Sequence, residues 1–233
     1  MEVSKQDNLL KVIVEEYIQS ANPVGSSLIV EKYFPDLSSA TIRNYMADLE
    51  EEGLIYQPHI SAGRLPTAAG YRRYVDLLAS GWQVSGKKKK VIDDLSSRIE
   101  SDEAGIKMLA KGLAEVSENA VLVGFGPLNV YYTGISNLFR QPEFLEQGSV
   151  YSMSEVIDHL DEVMSLIFHQ LSAEKVEILI GKENPFGEMC SVVLTKYSIG
   201  KSEGIIGILG PSRMDYRENG GLISQIKEIL AKI

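Results

Sequence analysis

A chain of 233 residues, 44% hydrophobic and 24% charged, has the composition of a protein that buries a core, and it is long enough for two small domains. Its formal net charge of -9 excludes a broadly cationic nucleic-acid coat, while leaving room for a local basic or neutral binding face. The single cysteine, Cys190, excludes an internal disulfide and a cysteine-based metal cluster. No apolar run is long enough to span a membrane and no signal peptide precedes the first helix, so the expected compartment is the cytoplasm.

Leu9, Leu10, Ile13, Val14, Tyr17 and Ile18 recur at helical spacing and predict a first helix from Lys5 to Ser20. Asn22-Pro23 breaks it. Gly25-Ser26 starts a second helix with Leu28, Ile29 and Tyr33 as its apolar face, and Phe34-Pro35-Asp36 is the next turn. Ser38 or Ser39 caps a third helix whose core face is Ala40, Ile42, Met46 and Leu49. Gly53 ends that helix where a left-handed cap is wanted. Leu54-Ile55-Tyr56 reads as a short strand, and His59 to Pro66 suits a hairpin tip. Three helices followed by a hairpin arm is the outline of a winged helix-turn-helix.

Charge within this region points the same way. Asp48, Glu50, Glu51 and Glu52 lie in the C-terminal half of the third helix. Its N-terminal half carries Ser39, Thr41, Arg43, Asn44 and Tyr45 and no acid. No Asp or Glu occurs from Gly53 to Val75, where Arg64, Arg72 and Arg73 are found. Recognition helices enter the major groove by their N-terminal residues, where acids would repel phosphate. The expected DNA-facing residues are therefore Ser39, Thr41, Arg43, Asn44 and Tyr45, with Arg43 the leading base reader. His59, Ser61, Gly63 and Arg64 are expected at the arm, and Arg72 and Arg73 are weaker candidates that can pair with acids of their own helix. Gly63 is expected to let the arm turn at a dihedral that a side chain resists. The alternative for the helix alone is an ordinary capped amphipathic helix with a solvated C-terminal face.

Ala79-Ser80-Gly81 is read as the close of the first domain. Lys87 to Lys90 is a solvated helix start or linker, or a patch that touches flanking phosphates. Val91, Leu95, Ile99, Ile106, Leu109, Leu113 and Val116 form an amphipathic series broken near Gly105. It suits packing on the chain's own second domain or on the same helix of a partner. Strands are predicted at Ala120 to Phe125, Asn129 to Thr133, Val176 to Ile180, Ser191 to Tyr197 and Gly204 to Leu209. A helix is predicted over Met153 to Leu171, and a closing helix carries Leu222, Ile226, Ile229 and Leu230.

Catalytic and cofactor chemistry is not legible. His159 and His169 are ten residues apart, too far for a chelating pair, and Cys190 reads as a buried structural thiol. In the polar turn Gly210 to Tyr216, Arg213 either binds a ligand carboxylate or pairs locally with Asp215. No catalytic residue, cofactor or metal site is expected, and the chain is not expected to be an enzyme.

The strings EEYIQSANPVGSSLI and LSSATIRNYMADLEEEGLIYQPHISAGRLPTAAGYRRYVDLL resemble the N-terminal region of the HrcA family, bacterial repressors of heat-shock chaperone genes. NLFRQPEF, IGKENPFGEMCSVV and GIIGILGPSRMDY are similar to the family's later motifs. The resemblance is dense over residues 5–79, thin over roughly 85–133 and good again from Gly134. It implies a homodimer that binds an inverted-repeat operator, with activity supported by the chaperonin. Family members are generally longer, with an inserted dimerisation subdomain in a GAF-like domain. Here the amphipathic stretch ending near Asn119 passes almost directly to AVLVGFGPLNVYYTGISNLFRQPEF, without the insert and some of the preceding sheet.

The expected organisation is α+β. Residues 1–80 form a winged helix-turn-helix, residues 81–118 a linker and amphipathic helix, and residues 119–233 a reduced GAF-like domain. The expected function is repression of heat-shock genes by a homodimer on operator DNA. The alternative is a winged-helix regulator whose GAF-like domain senses a small molecule. Without the insert, the dimer is expected to be weaker than is usual for the family and strengthened by DNA, with Leu95, Ile99 and Leu109 at or near its interface.

Overall fold

The computed structural model describes residues 4–78, 81–145, 147–172, 175–200 and 202–232, with the backbone alone at 147–152. The chain is mixed helix and sheet and divides into two compact units between residues 80 and 81. The predicted closing residues Ala79 and Ser80 lie outside the described residues.

The first unit begins with α1 (Lys5–Ser20), which has the bounds its apolar spacing predicts. Ser4 caps it by accepting from the Asp7 amide, and Ala21 ends it in the left-handed region at φ 52°. Leu9, Leu10, Ile13 and Val14 are buried. The short α2 (Ser26–Lys32) buries only Ile29, and Leu28, expected on the same apolar face, is exposed. Consecutive residues of a helix project about 100° apart, so Leu28 and Ile29 do not both face the neighbour that buries Ile29. In α3 (Ser39–Glu51), Ser38 rather than Ser39 is the cap, accepting from the Thr41 amide at 3.0 Å. Ile42, Met46 and Leu49 are buried. Gly53 takes φ 71°, and the Leu54 amide donates to the Leu49 carbonyl, closing the helix end.

Strands β1 (Ile55–Tyr56) and β2 (Leu65–Pro66) pair antiparallel, Ile55 facing Pro66. The arm between them is fastened to the body by an antiparallel bridge from Arg64 to Val24, amide to carbonyl in both directions at 2.9 Å. Then α4 (Ala68–Leu78) buries Tyr71, Tyr74 and Leu78 and packs on α1. Glu16, buried on α1, accepts from the Lys32 ammonium and the Tyr33 hydroxyl and so pins the end of α2.

Those two donors, Lys32 first, hold the Glu16 carboxyl below its ordinary 4.5. A depressed carboxylate pKa adds stability that is complete above 4.5 and lost as pH falls through the lower folded value. The protection of α1 amides against hydrogen exchange should therefore differ most between wild type and Glu16→Gln near neutrality, and the gap should close below pH 4.5. A gap that stays constant from about pH 7 to about pH 3 would refute this origin of the stability.

The second unit is a five-stranded antiparallel sheet in the order β4-β3-β7-β6-β5. Its strands are β3 (Ala120–Gly124), β4 (Val130–Thr133), β5 (Glu177–Ile180), β6 (Cys190–Ile199) and β7 (Ser202–Pro211). Before the sheet come α5 (Gly86–Ser96) and α6 (Glu103–Ser117), and after it comes α10 (Tyr216–Leu230). Between β4 and β5 lie α7 (Ile135–Phe139), α8 (Gln147–Asp158) and α9 (Leu160–Gln170). The helix predicted over Met153 to Leu171 is thus two helices that part at His159. Ala120, Leu122, Leu138, Phe144, Met164, Ile167, Val192 and Leu209 share one core. Side chains alternate along a strand, so Val121, Val123, Val193 and Ile208 point to the other face, where α6 and α10 pack. Both faces are covered, which is why β3 is apolar throughout rather than alternating.

Residues 81–118 do not stand apart as a linker. Leu109, Leu113 and Ile106 are buried within the unit, and Leu95 of α5 lies against Gly112 of α6. The break falls at Ser97 to Ser101 rather than at Gly105, and Asp102 caps α6 by accepting from the Gly105 amide at 2.7 Å. Gly105 is needed there because a Cβ would sit 2.2 Å from the Glu100 carbonyl oxygen. A stripe of apolar residues requires burial but does not name the surface, and the chain's own sheet takes it first. Leu109 therefore cannot serve the predicted dimer contact. Lys88 ion-pairs with Glu218 at 2.7 Å, so one of the four consecutive lysines fastens α5 to α10.

Candidate nucleic-acid interface

Arg43 and Asn44 are exposed on the first half of α3, and among the described residues no carboxylate is ion-paired with Arg43. Ser39 and Tyr45 are half-buried. Thr41 is half-buried too, and its hydroxyl is 2.9 Å from that of Ser38, so it is engaged in the helix cap. Buried Ile42 and Met46 set the rotation of the helix, which is what turns Arg43 and Asn44 outward.

A cleft of about 320 Å³ lies within the first unit, between the start of α2, the Arg43–Met46 face of α3 and the arm. It brings together Arg43, Ser61, Gly63 and Arg64 of the predicted residues. It adds Ser26, Ser27, Gln57 and Ile60, which sequence reasoning did not single out. For the serines the signal was available, since small polar residues at a helix start beside the reading helix suit a phosphate. For Gln57 there was none. Its side-chain amide turns inward and donates to the carbonyls of Ile60 and Ala62, both at 2.9 Å. The His59 carbonyl accepts from the Ala62 amide at 2.9 Å, and the His59 and Ser61 side chains are exposed on the turn so formed.

Three expected residues have different settings from those the sequence suggests. Gly63 is not held at a left-handed dihedral; it is required because a Cβ would lie 2.4 Å from the Val24 carbonyl carbon. Arg64 is ion-paired with Glu50 at 2.9 Å, a partner on the reading helix that offsets its charge. Arg73 pairs in a fork with Asp7 of α1, at 2.9 and 3.0 Å, not with an acid of its own helix. Arg72 is half-buried on α4 and does not line the cleft.

Elsewhere the polar motifs are structural. Arg213 pairs with Glu143 and donates to the Gln141 side chain at 2.9 Å, tying NLFRQPEF to GPSRMDY. Its expected local partner, Asp215, instead caps α10 by accepting from the Glu218 amide. Burial pushes the Cys190 thiol up to about 12, far from a nucleophile's range. Among the described residues no helix is long and apolar enough to cross a membrane.

Residues 69–219 match the family model described as the HrcA protein C terminal domain. The heat-inducible transcription repressor HrcA of Carboxydothermus hydrogenoformans is 30% identical, over a span that takes in 98% of this chain and 97% of that protein. The chain belongs to the HrcA family. The family is one of heat-inducible transcription repressors, not of enzymes. The HrcA of Halalkalibacterium halodurans is 27% identical across 100% of this chain and 98% of its own. A crystal structure described as a hypothetical protein has the same fold, with a TM-score of 0.79 at 20% identity over 98% of this chain and 97% of that one. This HrcA-family chain is nevertheless short. Its alignment with the Carboxydothermus HrcA runs over 333 positions, so at least 100 have no counterpart among its 233 residues.

Proposed function

We propose that this HrcA-family protein represses heat-shock chaperone genes by binding an inverted-repeat operator as a homodimer. In this reading the first unit is a winged helix-turn-helix and the second a reduced GAF-like domain. Residues 1–80 carry the DNA contacts, and residues 81–233 regulate and assemble. The observation that carries the reading is the cleft between an acid-free helix start, exposing Arg43 and Asn44, and an arm fastened at Val24. Ser39, Asn44 and Tyr45 join Arg43 at the major groove, with Thr41 contributing through the capped first turn. His59, Ser61, Gly63 and Arg64 form the wing beside it, and Arg72 and Arg73 flank it. The protein acts in the cytoplasm, with the chaperonin as its supporting partner.

Each chain has one reading head, so an inverted repeat needs two chains related by a two-fold axis. Ile106, Leu109 and Leu113 of the amphipathic stripe are buried inside the second unit while Val91 stays exposed, and at least 100 positions of the Carboxydothermus HrcA alignment have no counterpart in this chain. The dimer is therefore weak in solution and templated by DNA. Titration against an operator selected by the protein from a random pool, with a scrambled duplex as control, tests the reading. Sedimentation across a dilution series should show a dimer that comes apart on dilution and is strengthened by the operator. A monomer that holds a half-site as tightly as the full repeat would refute the dimer.

Cavities lined by described residues of the second unit give the ligand-sensor alternative little support. A cavity beside Phe125 and Tyr197 holds about 230 Å³, below the roughly 300–1,000 Å³ of small-molecule sites. A wider cleft of about 710 Å³ is lined largely by polar groups such as Lys89, Asp93, Gln225 and Glu228 rather than by the apolar walls such sites use.

A further inference from the structure

Ile60 is 98% exposed, the most exposed large hydrophobic side chain among the described residues. Nothing about the arm is loose at that point. The Gln57 amide braces the carbonyls on either side of the tip, the His59 to Ala62 hydrogen bond closes the turn, and the Val24–Arg64 bridge anchors its return. A fixed scaffold therefore holds a branched apolar side chain in water, at a position where any small polar residue would satisfy the turn.

We propose that Ile60 is an apolar wedge that enters the minor groove of the DNA whose adjoining major groove α3 reads. The inference rests on the winged-helix reading above and deepens it. Ile60 and Arg43 line the same cleft, so the tip and the reading helix flank one occupant. No Asp or Glu occurs from Gly53 to Val75, so the arm meets a polyanion without carboxylate repulsion. The arm's Arg64 is matched by Glu50, which leaves shape and apolar contact, rather than net charge, as what the tip offers. A single side chain on a tight turn fits a groove about 6 Å wide, and apolar side chains inserted there pack on sugars or between base steps. The contact makes no hydrogen bond, so it favours sequences whose minor groove opens or unstacks easily.

The test is Ile60→Ser, which keeps the tip's backbone bonds and removes apolar surface from water, so the unit should unfold at the same temperature as wild type. On a duplex selected by the wild-type protein from a random pool, affinity should fall about tenfold for each half-site, and so about a hundredfold on a full repeat, the loss expected when a side chain of this size goes unburied. The slope of affinity against salt should stay the same, because no phosphate contact is lost. Hydroxyl-radical footprints should lose protection of minor-groove sugars flanking the α3 site. Equal affinity and an unchanged footprint would overturn the wedge. A shift in sedimentation with DNA binding intact would assign Ile60 to a second copy and overturn it as well. Wild-type protein that does not distinguish the selected duplex from a scrambled one would overturn the DNA reading itself, and the wedge with it.

Discussion

Replacing Arg43 by alanine should lower affinity for the operator far more than affinity for a scrambled duplex. Arg43 is exposed in the first half of α3, and among the described residues no ion pair ties it to the acids at positions 48 and 50–52. Buried Ile42 behind it prevents the helix from rolling to present another residue. Its guanidinium is therefore free to donate two hydrogen bonds to one guanine edge, worth about 1–3 kcal/mol of discrimination. In the proposed homodimer both half-sites carry the change, so on a full repeat the loss should roughly double. Dissociation constants for operator and scrambled duplex, measured at two salt concentrations, decide the matter. Equal loss on both duplexes would make Arg43 a phosphate contact and move base reading to Asn44.

Gly63→Ala should cripple the arm by breaking its anchor on Val24, with every wing side chain proposed to meet DNA still present. The added Cβ would lie 2.4 and 2.5 Å from the Val24 carbonyl carbon and oxygen, and 2.7 Å from the Pro23 carbonyl carbon. All three are backbone atoms, so no side chain can swing aside. The strand must lift, and with it go the two Val24–Arg64 hydrogen bonds. Overpacking and two lost bonds together cost about 2–4 kcal/mol. Hydrogen exchange at the Arg64 amide should speed up sharply, and operator affinity should fall with it because the tip leaves its place beside α3. An Arg64 amide as protected as in wild type would show that the body absorbs the methyl group, and the account of Gly63 would be wrong.

The sequence by itself determined the local elements and the family. Caps, breakers and 3.6-residue spacing act within a few residues of one another, so α1 has its predicted bounds and Gly53 its predicted left-handed turn. The strands fell within a residue or two of their predicted ends, because short β-rich runs bounded by turn residues are also local signals. The strings SATIRN and PHISAGRLPTAAGYRRYV, which are long and specific, suggested a family to which the chain does belong. What only the tertiary structure decided is which partner each side chain takes. Arg64 finds Glu50, 14 residues away, Arg73 finds Asp7, 66 away, and Arg213 finds Glu143, 70 away. Periodicity required the Val91 to Val116 stripe to be buried, yet the sheet on which it packs is assembled from strands up to about 90 residues later. Gly63 is needed for a neighbour's backbone, and Ile60 is held out by an amide folded underneath it. Such pairings are set when the chain closes on itself, where distance in space, not spacing in sequence, chooses the contact.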